Sequence, residues 1–257
     1  MAMMAFVATG FAQKKLVLYF SETQTTQKVA LALQKQLSLP DKAVVAIELV
    51  EPYTGNMMET MQRAQREKQP ALKPLKAKIA DYDIIFLGYP IWSGTYALPI
   101  ASLLKQEDFA GKTIVPFCTF GSGGLESSIA DLKKALPKAT IKPGYGVRQA
   151  RVASATKELD RFLKENGYVA GKVKALPAYS AQQPVTDAEK AIFDAACSSY
   201  QFPLGTPQTF GKRTTDDSID YEFKVKSQGF GGGGESTIYV TMGKEAGAKP
   251  EFTRVVR

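Results

Sequence analysis

The sequence of 257 residues has no histidine, one tryptophan and two cysteines. The missing imidazoles exclude a Ser-His-Asp relay, histidine acid–base chemistry and the commonest zinc ligand sets. Cys118 and Cys197 fall in regions of different character, so neither a disulfide framework nor a metal-ligand spacing can be read from them. Both read as small, partly buried side chains. Beyond the first dozen residues no segment is apolar enough to span a bilayer. A Walker lysine and a three-glycine fingerprint are also missing, so nucleoside triphosphates and dinucleotides are poorly supported. Any chemistry has to come from hydroxyls, carboxylates, amines, the backbone or a bound cofactor.

Of the residues present, 44% are hydrophobic, enough for one sizeable core or for one domain and a smaller companion. The net charge of +8 is uneven: 22 basic and 15 acidic residues precede Gly171, whereas 11 and 10 follow it. A basic surface suits anionic partners, but the lysines are scattered along helical patterns instead of clustering with aromatics, which argues against nucleic acid. The opening "MAMMAFVATGFA" (1–12) is apolar and uncharged, with small residues Gly10 and Ala12 where a cleavage site would need them. It reads as an export signal lacking its basic start, with a membrane or lipid anchor and a buried helix as alternatives. The expected location is the periplasm or cell envelope, or the cytoplasm if this stretch is no signal.

Short apolar runs then alternate with helical patterns. "KLVLYF" (15–20), "AVVAIELV" (43–50), "DIIFLGYP" (83–90), "TIVPFCTF" (113–120) and the weaker "ATIKPGYGV" (139–147) have the continuous apolar character of strands buried on both faces. Between and after them, helical spacing covers 25–37, 56–69, 95–106, 125–136 and 154–167, with Asn56 placed to cap the second helix and Gly167 to close the fifth. Five such alternations predict a doubly wound, three-layer α/β domain over 13–170. Residues 171–185 have linker composition. A helix (186–200) and four strand-like stretches with the "FGGGGE" turn (230–235) follow, predicting a small α+β domain with antiparallel strands over 186–257.

In such sheets ligands collect where the strands end and their order reverses, and three loops there have unusual composition. The first, "SETQTT", offers hydroxyls at Ser21, Thr23 and Thr26 before a helix, as either an anion site or a plain helix cap. The second holds Trp92 beside Ser93, Gly94 and Thr95, either to stack on a flat ligand or to lid the local core. The third, "CTFGSGGLESS" (118–128), has Phe120 as an aromatic face and Gly121, Gly123 and Gly124 for close backbone approach, or is a bare turn.

Taken in order, the Ser21-x-Thr23-x-x-Thr26 loop, "EPY" at 51–53, "DYDIIFLGYPIWSGT" at 81–95 and "GKTIVPFCTFGSGG" at 111–124 resemble the flavodoxins, particularly their short-chain bacterial members. The resemblance covers about 14–166 and not 172–257. It implies a five-stranded flavodoxin-like sheet in the order 2-1-3-4-5 and one non-covalently held FMN. Ser21, Glu22 (by its backbone), Thr23, Gln24, Thr25 and Thr26 would wrap the phosphate. Pro90, Ile91, Trp92, Ser93, Gly94 and Thr95, with Thr119, Phe120, Gly121, Ser122, Gly123 and Gly124, would lie along the ring, and Gly94 is the candidate for a peptide that reorients toward it. The family's usual Gly-Asn is replaced here by Gln24-Thr25. No catalytic side chain is expected, because the flavin carries the chemistry. The implied function is electron transfer or reduction of a quinone-like or aromatic acceptor, with an acidic surface on any protein partner. A flavin-free scaffold acting as a cell-envelope binding module is the rival reading, and a different phosphorylated ligand a third.

Overall fold

A computed structural model describes residues 13–53, 57–67, 69–227 and 234–257. The expected signal at 1–12, the Asn56 cap and the tip of the Gly-rich hairpin lie outside these.

Alternate residues of the three central apolar runs face opposite ways, and both faces are buried. Leu16, Leu18, Ile85, Leu87 and Tyr89 share one core, and Val17, Tyr19, Ile84, Phe86, Val115 and Phe117 share the other. These residues lie on β1 (Lys15–Tyr19), β3 (Ile84–Trp92) and β5 (Thr113–Phe120). With β2 (Val44–Ala46), β6 (Thr140–Ile141) and β7 (Tyr145–Arg148) they form one parallel sheet. Its order is β2-β1-β3-β5, with β6 and β7 both on the far side of β5. This is the expected 2-1-3-4-5 topology with the fifth strand broken in two. Pro143-Gly144 makes the break: proline has no N–H to give, and a Cβ on Gly144 would stand 2.8 Å from Pro116 O. The second expected strand, 43–50, shrinks to three residues, and Leu49 instead bridges to Leu72.

Helices cover the two faces. On one side pack α1 (Thr25–Gln36), through Val29 and Leu33, and α5 (Ala155–Glu165), through Leu159 and Leu163. On the other pack α3 (Leu98–Gln106) and α4 (Leu125–Ala135), through Ile100, Leu103 and Leu132. The remaining helix, α2 (Met57–Arg66), follows β2. Gly167 ends α5 as expected, left-handed at φ 71° with its N–H on Lys164 O.

The second unit is an antiparallel sheet in the order β12-β11-β10-β9-β8, made of β8 (Gln183–Pro184), β9 (Thr206–Thr214), β10 (Ser218–Ser227), β11 (Gly234–Gly243) and β12 (Glu251–Val256). Helix α6 (Asp187–Cys197) closes its core, with Phe193 edge-on to Phe223 at 5.2 Å. Strand β8 lies inside the stretch expected as linker; with Pro184 at the exposed edge it is too short to announce itself. Cys118 is fully buried and Cys197 half-buried, and burial pushes the Cys197 thiol up to about 12.

Gly88 is a tightly packed point of the main sheet. It pairs with Tyr19 on one side and Phe117 on the other, and a Cβ there would lie 2.0 Å from the Phe117 ring. Gly88→Ala is expected to lower stability by about 1–3 kcal/mol through overpacking, and Phe117→Leu in that background to recover part of the loss. Urea unfolding of the single and double variants measures both effects.

Candidate functional site

Where β1 ends, the chain turns through Ser21–Gln24 and enters α1 at Thr25. Gln24 at the N-cap makes no side-chain capping bond; Ser21 Oγ accepts the Gln27 N–H, at 3.2 Å, and among the described residues the amides of Thr25 and Thr26 have no capping partner. The Thr23 and Thr25 hydroxyls bond each other at 2.9 Å on the exposed side. The Glu22 carboxylate turns away, accepting from Thr60 Oγ1 of α2 at 2.7 Å. Thr26 is different from what its place in the motif suggests. It is 1% exposed, and its hydroxyl bonds that of Thr119, 3% exposed, at 2.8 Å. Two expected ligand donors thus tie the first loop to the end of β5 from behind. Gln24 is left-handed at φ 60°, the conformation glycine adopts without strain.

The second loop is a hairpin that the helical reading of 95–106 concealed. Trp92 pairs with Thr95 and Ile91 with Tyr96 across a two-residue turn, making Thr95–Tyr96 a short strand β4. Ser93 and Gly94 both have positive φ, 49° and 86°, as a type I′ turn requires. Trp92 is half-buried, edge-on to Tyr53 at 5.3 Å and to Phe20 at 5.8 Å. Tyr53 lies beneath the Arg63 guanidinium at 4.7 Å, and its Oη is buried with no hydrogen-bond partner among the described residues. A cleft of about 250 Å³ opens here, bordered by Phe20, Ser21, Glu22, Gln27, Leu49 and Tyr53.

Helix α4 fastens the hairpin. Thr95 donates to Asp131 at 2.8 Å, a bond that, with Lys134, holds the Asp131 carboxyl below the usual carboxylate range. Ser127 Oγ donates to Gly94 O.

The third loop uses each glycine differently. Gly121 is exposed, with open space where a side chain would stand. Gly124 is left-handed at φ 111° and sits 2.7 Å, measured to a would-be Cβ, from Ile91 of the hairpin. Gly123 makes room for the molecule itself: a Cβ there would meet Val255 O of β12 at 2.3 Å. Ser122 O accepts the Val255 N–H at 2.6 Å, and Arg148 donates to Gly121 O at 2.7 Å. Phe120, expected to offer a ring to a ligand, is only 4% exposed and turns into the core, so it can meet a ligand only by its backbone. The structure therefore brings the three predicted loops to one end of the sheet. Thr60, Arg63, Ser127, Asp131 and Arg148 are supporting residues that sequence reasoning missed, and no local pattern marks them.

A larger open cleft, about 810 Å³, lies elsewhere, between α5, the linker and β9–β11. Several of its charges are paired within it, as in Arg213–Asp220 at 2.9 Å and Lys174–Asp216 at 2.8 Å.

The buried hydroxyl pair yields a test of the site's framework. Thr26→Val is expected to cost about 1–3 kcal/mol by stranding the Thr119 hydroxyl, and adding Thr119→Val to cost less than the sum of the two single changes. Denaturant midpoints of the three variants decide it.

Residues 14–165 match the flavodoxin family. Among solved structures, a candidate flavoprotein from Bacteroides uniformis is 27% identical over 58% of this chain and 99% of its own, with a TM-score of 0.50. One from Bacteroides eggerthii is 28% identical over 57% and 98%, with a TM-score of 0.47. A flavoprotein of Lactobacillus acidophilus, solved in complex with FMN, is 20% identical over 57% and 99%, with a TM-score of 0.46. No curated protein matches the chain. The match spans more than half of the sequence and coincides with the parallel sheet and its three loops. The chain belongs to the flavodoxin family.

Proposed function

We propose that the first domain binds FMN at the carboxyl ends of β1, β3 and β5 and acts as a redox protein, transferring electrons or reducing a quinone-like or aromatic acceptor. The observation that carries this reading is the start of α1, where Ser21 takes only the Gln27 amide and the Thr25 and Thr26 amides, without a partner among the described residues, are left for an anion beside the hydroxyls of Ser21 and Thr23. The orphaned Tyr53 Oη and the open space at Gly121 fit the group as well, one by a polar atom in need of a partner and the other by room at the loop's backbone.

Bound FMN would supply one- and two-electron chemistry, so the absence of histidine costs the protein nothing. The chain's own residues have three tasks. The first-turn amides and loop hydroxyls hold a phosphate without a cationic side chain. Phe20, Tyr53 and Trp92 form an apolar wall that keeps water from one side of the ring's place. The hairpin turn presents backbone groups at the ring's edge, with the Gly94 carbonyl held by Ser127; a reorientation of that peptide has to break this bond first. The excess of basic residues in this domain favours a partner protein with an acidic docking surface.

Purified protein is expected to be yellow, or to bleach FMN fluorescence on titration. Gln24→Gly, Thr25→Asn is expected to bind FMN at least as tightly as the parent. The glycine should also relieve about 1 kcal/mol of left-handed strain, worth a rise of roughly 2–4 °C in Tm for a domain of this size. Colourless protein with no spectral response to FMN, in parent and variant alike, would sink the reading in favour of a flavin-free scaffold.

A further inference from the structure

Strand β12 belongs to the second domain, yet its contacts with the first converge on one place. The Val255 N–H reaches Ser122 O at 2.6 Å. Phe252 O accepts from Arg148 Nη1 at 2.9 Å, while Arg148 Nε holds Gly121 O at 2.7 Å. Glu251 pairs with Arg151 at 2.9 Å, and Arg151 in turn with Glu158 of α5 at 2.7 Å. Arg254 pairs with Glu126, in the first turn of α4, at 3.3 Å. These bonds land on the third loop, on the first turn of α4, and on Arg148 and Arg151 at and just after the end of β7, where Arg148 pairs with Phe120. The approach is so close that only glycine is accommodated at position 123.

Arg148 is the hinge of this arrangement. It is buried, 8% exposed, with its guanidinium 4.1 Å over the Phe252 ring and 5.5 Å from that of Tyr200. It makes no ion pair among the described residues, and both of its bonds go to carbonyls, one in each domain. A buried cation bonded to two carbonyls is a costly device for mere docking.

We propose that β12 and Arg148 are part of the cofactor site: the docked second domain holds the third loop in its binding conformation, and Arg148 is the positioning residue that joins the two. This rests on the FMN reading. A loop with three glycines in four residues loses much conformational freedom when it is ordered around a ligand. A loop already ordered by docking has met that cost beforehand. Linkage makes the effect reciprocal, so FMN must tighten docking by the factor by which docking tightens FMN. Arg148 also places a fixed positive charge behind the loop, which favours the more negatively charged reduced form of the flavin.

The test compares wild type with Arg148→Met, Arg148→Lys and Gly123→Ala. Three quantities are measured: FMN affinity by fluorescence titration, the two-electron potential of bound FMN, and the rate of tryptic cleavage at Lys172 and Lys174 with and without FMN. Arg148→Met and Gly123→Ala are expected to weaken FMN about tenfold, with part of the affinity restored in Arg148→Lys. Saturating FMN should slow cleavage of the wild-type linker by a similar factor, a readout that needs no variant. In Arg148→Met the preference for reduced over oxidised FMN should fall about tenfold, equivalent to about 30 mV for two electrons. Wild-type affinity in the variants, or cleavage indifferent to FMN, overturns the proposal and leaves the flavin reading standing. A wild type that takes up no FMN overturns both.

Discussion

The turn from β5 into α4 has to satisfy four neighbours at once, and the rest of the site hangs on it. Thr119 at its start is bonded to Thr26 of the first loop; Gly124 at its end lies against Ile91 of the hairpin; Gly121 O is held by Arg148, and Ser122 O by β12. Each contact is made by backbone or by a buried hydroxyl, so the turn has little freedom to move without disturbing the others. Glycine at 123 and 124 is therefore demanded by packing, and only Gly121 is left with open space toward a ligand. Glycine richness in such a loop is not one property but three.

What the sequence disclosed follows from where the information is local. Strands buried on both faces appear as continuous apolar runs, and helices between them carry their period of 3.6, so the doubly wound order could be read directly. The antiparallel meander was legible for the same reason, through alternation in 219–228 and 236–244. Features governed by one or two residues were not. The β3–β4 hairpin is two pairs long and was absorbed into the following helix; β8 is two residues ending in proline. Within the site, the positions of the loops were legible but the roles inside them were not. Thr26 and Thr119 are 93 residues apart, and nothing near either reveals that their hydroxyls meet. Phe120 reads as a displayed ring because it sits beside glycines, yet strand alternation sends it inward with Cys118.

The two buried arginines at the domain boundary show how charge is apportioned there. Arg151 lies between Glu158 and Glu251, both within 2.9 Å, and is overmatched by carboxylates. Arg148, three residues earlier, has carbonyls and aromatic faces but no carboxylate partner among the described residues, and burial draws its pKa below the usual guanidinium value. Taken together, two cations and two anions balance. Taken by contact they do not: Arg148, bonded to Gly121 O of the third loop, pairs with no carboxylate among the described residues, whereas Arg151 pairs with two. Exchanging which arginine carries the carboxylates would leave the sum unchanged and remove the cation from the loop's back.

The Gln24-Thr25 pair, where the family favours Gly-Asn, bears on whether a change in sequence means a change in shape. A non-glycine residue at φ 60° pays about 1 kcal/mol, small beside a typical stability of about 5–15 kcal/mol. Gln24 is exposed, and no side-chain contact of its own is needed to hold it there. The turn is instead imposed from outside residue 24: Ser21 Oγ takes the Gln27 amide, Thr23 and Thr25 bond each other, and Thr26 is anchored to Thr119. With the flanks fixed on both sides, the residue between them adopts the left-handed conformation whatever its own preference. The loop can thus keep its turn while losing the glycine that would have made that turn free of strain, and the departure at 24 speaks to cost, not to geometry.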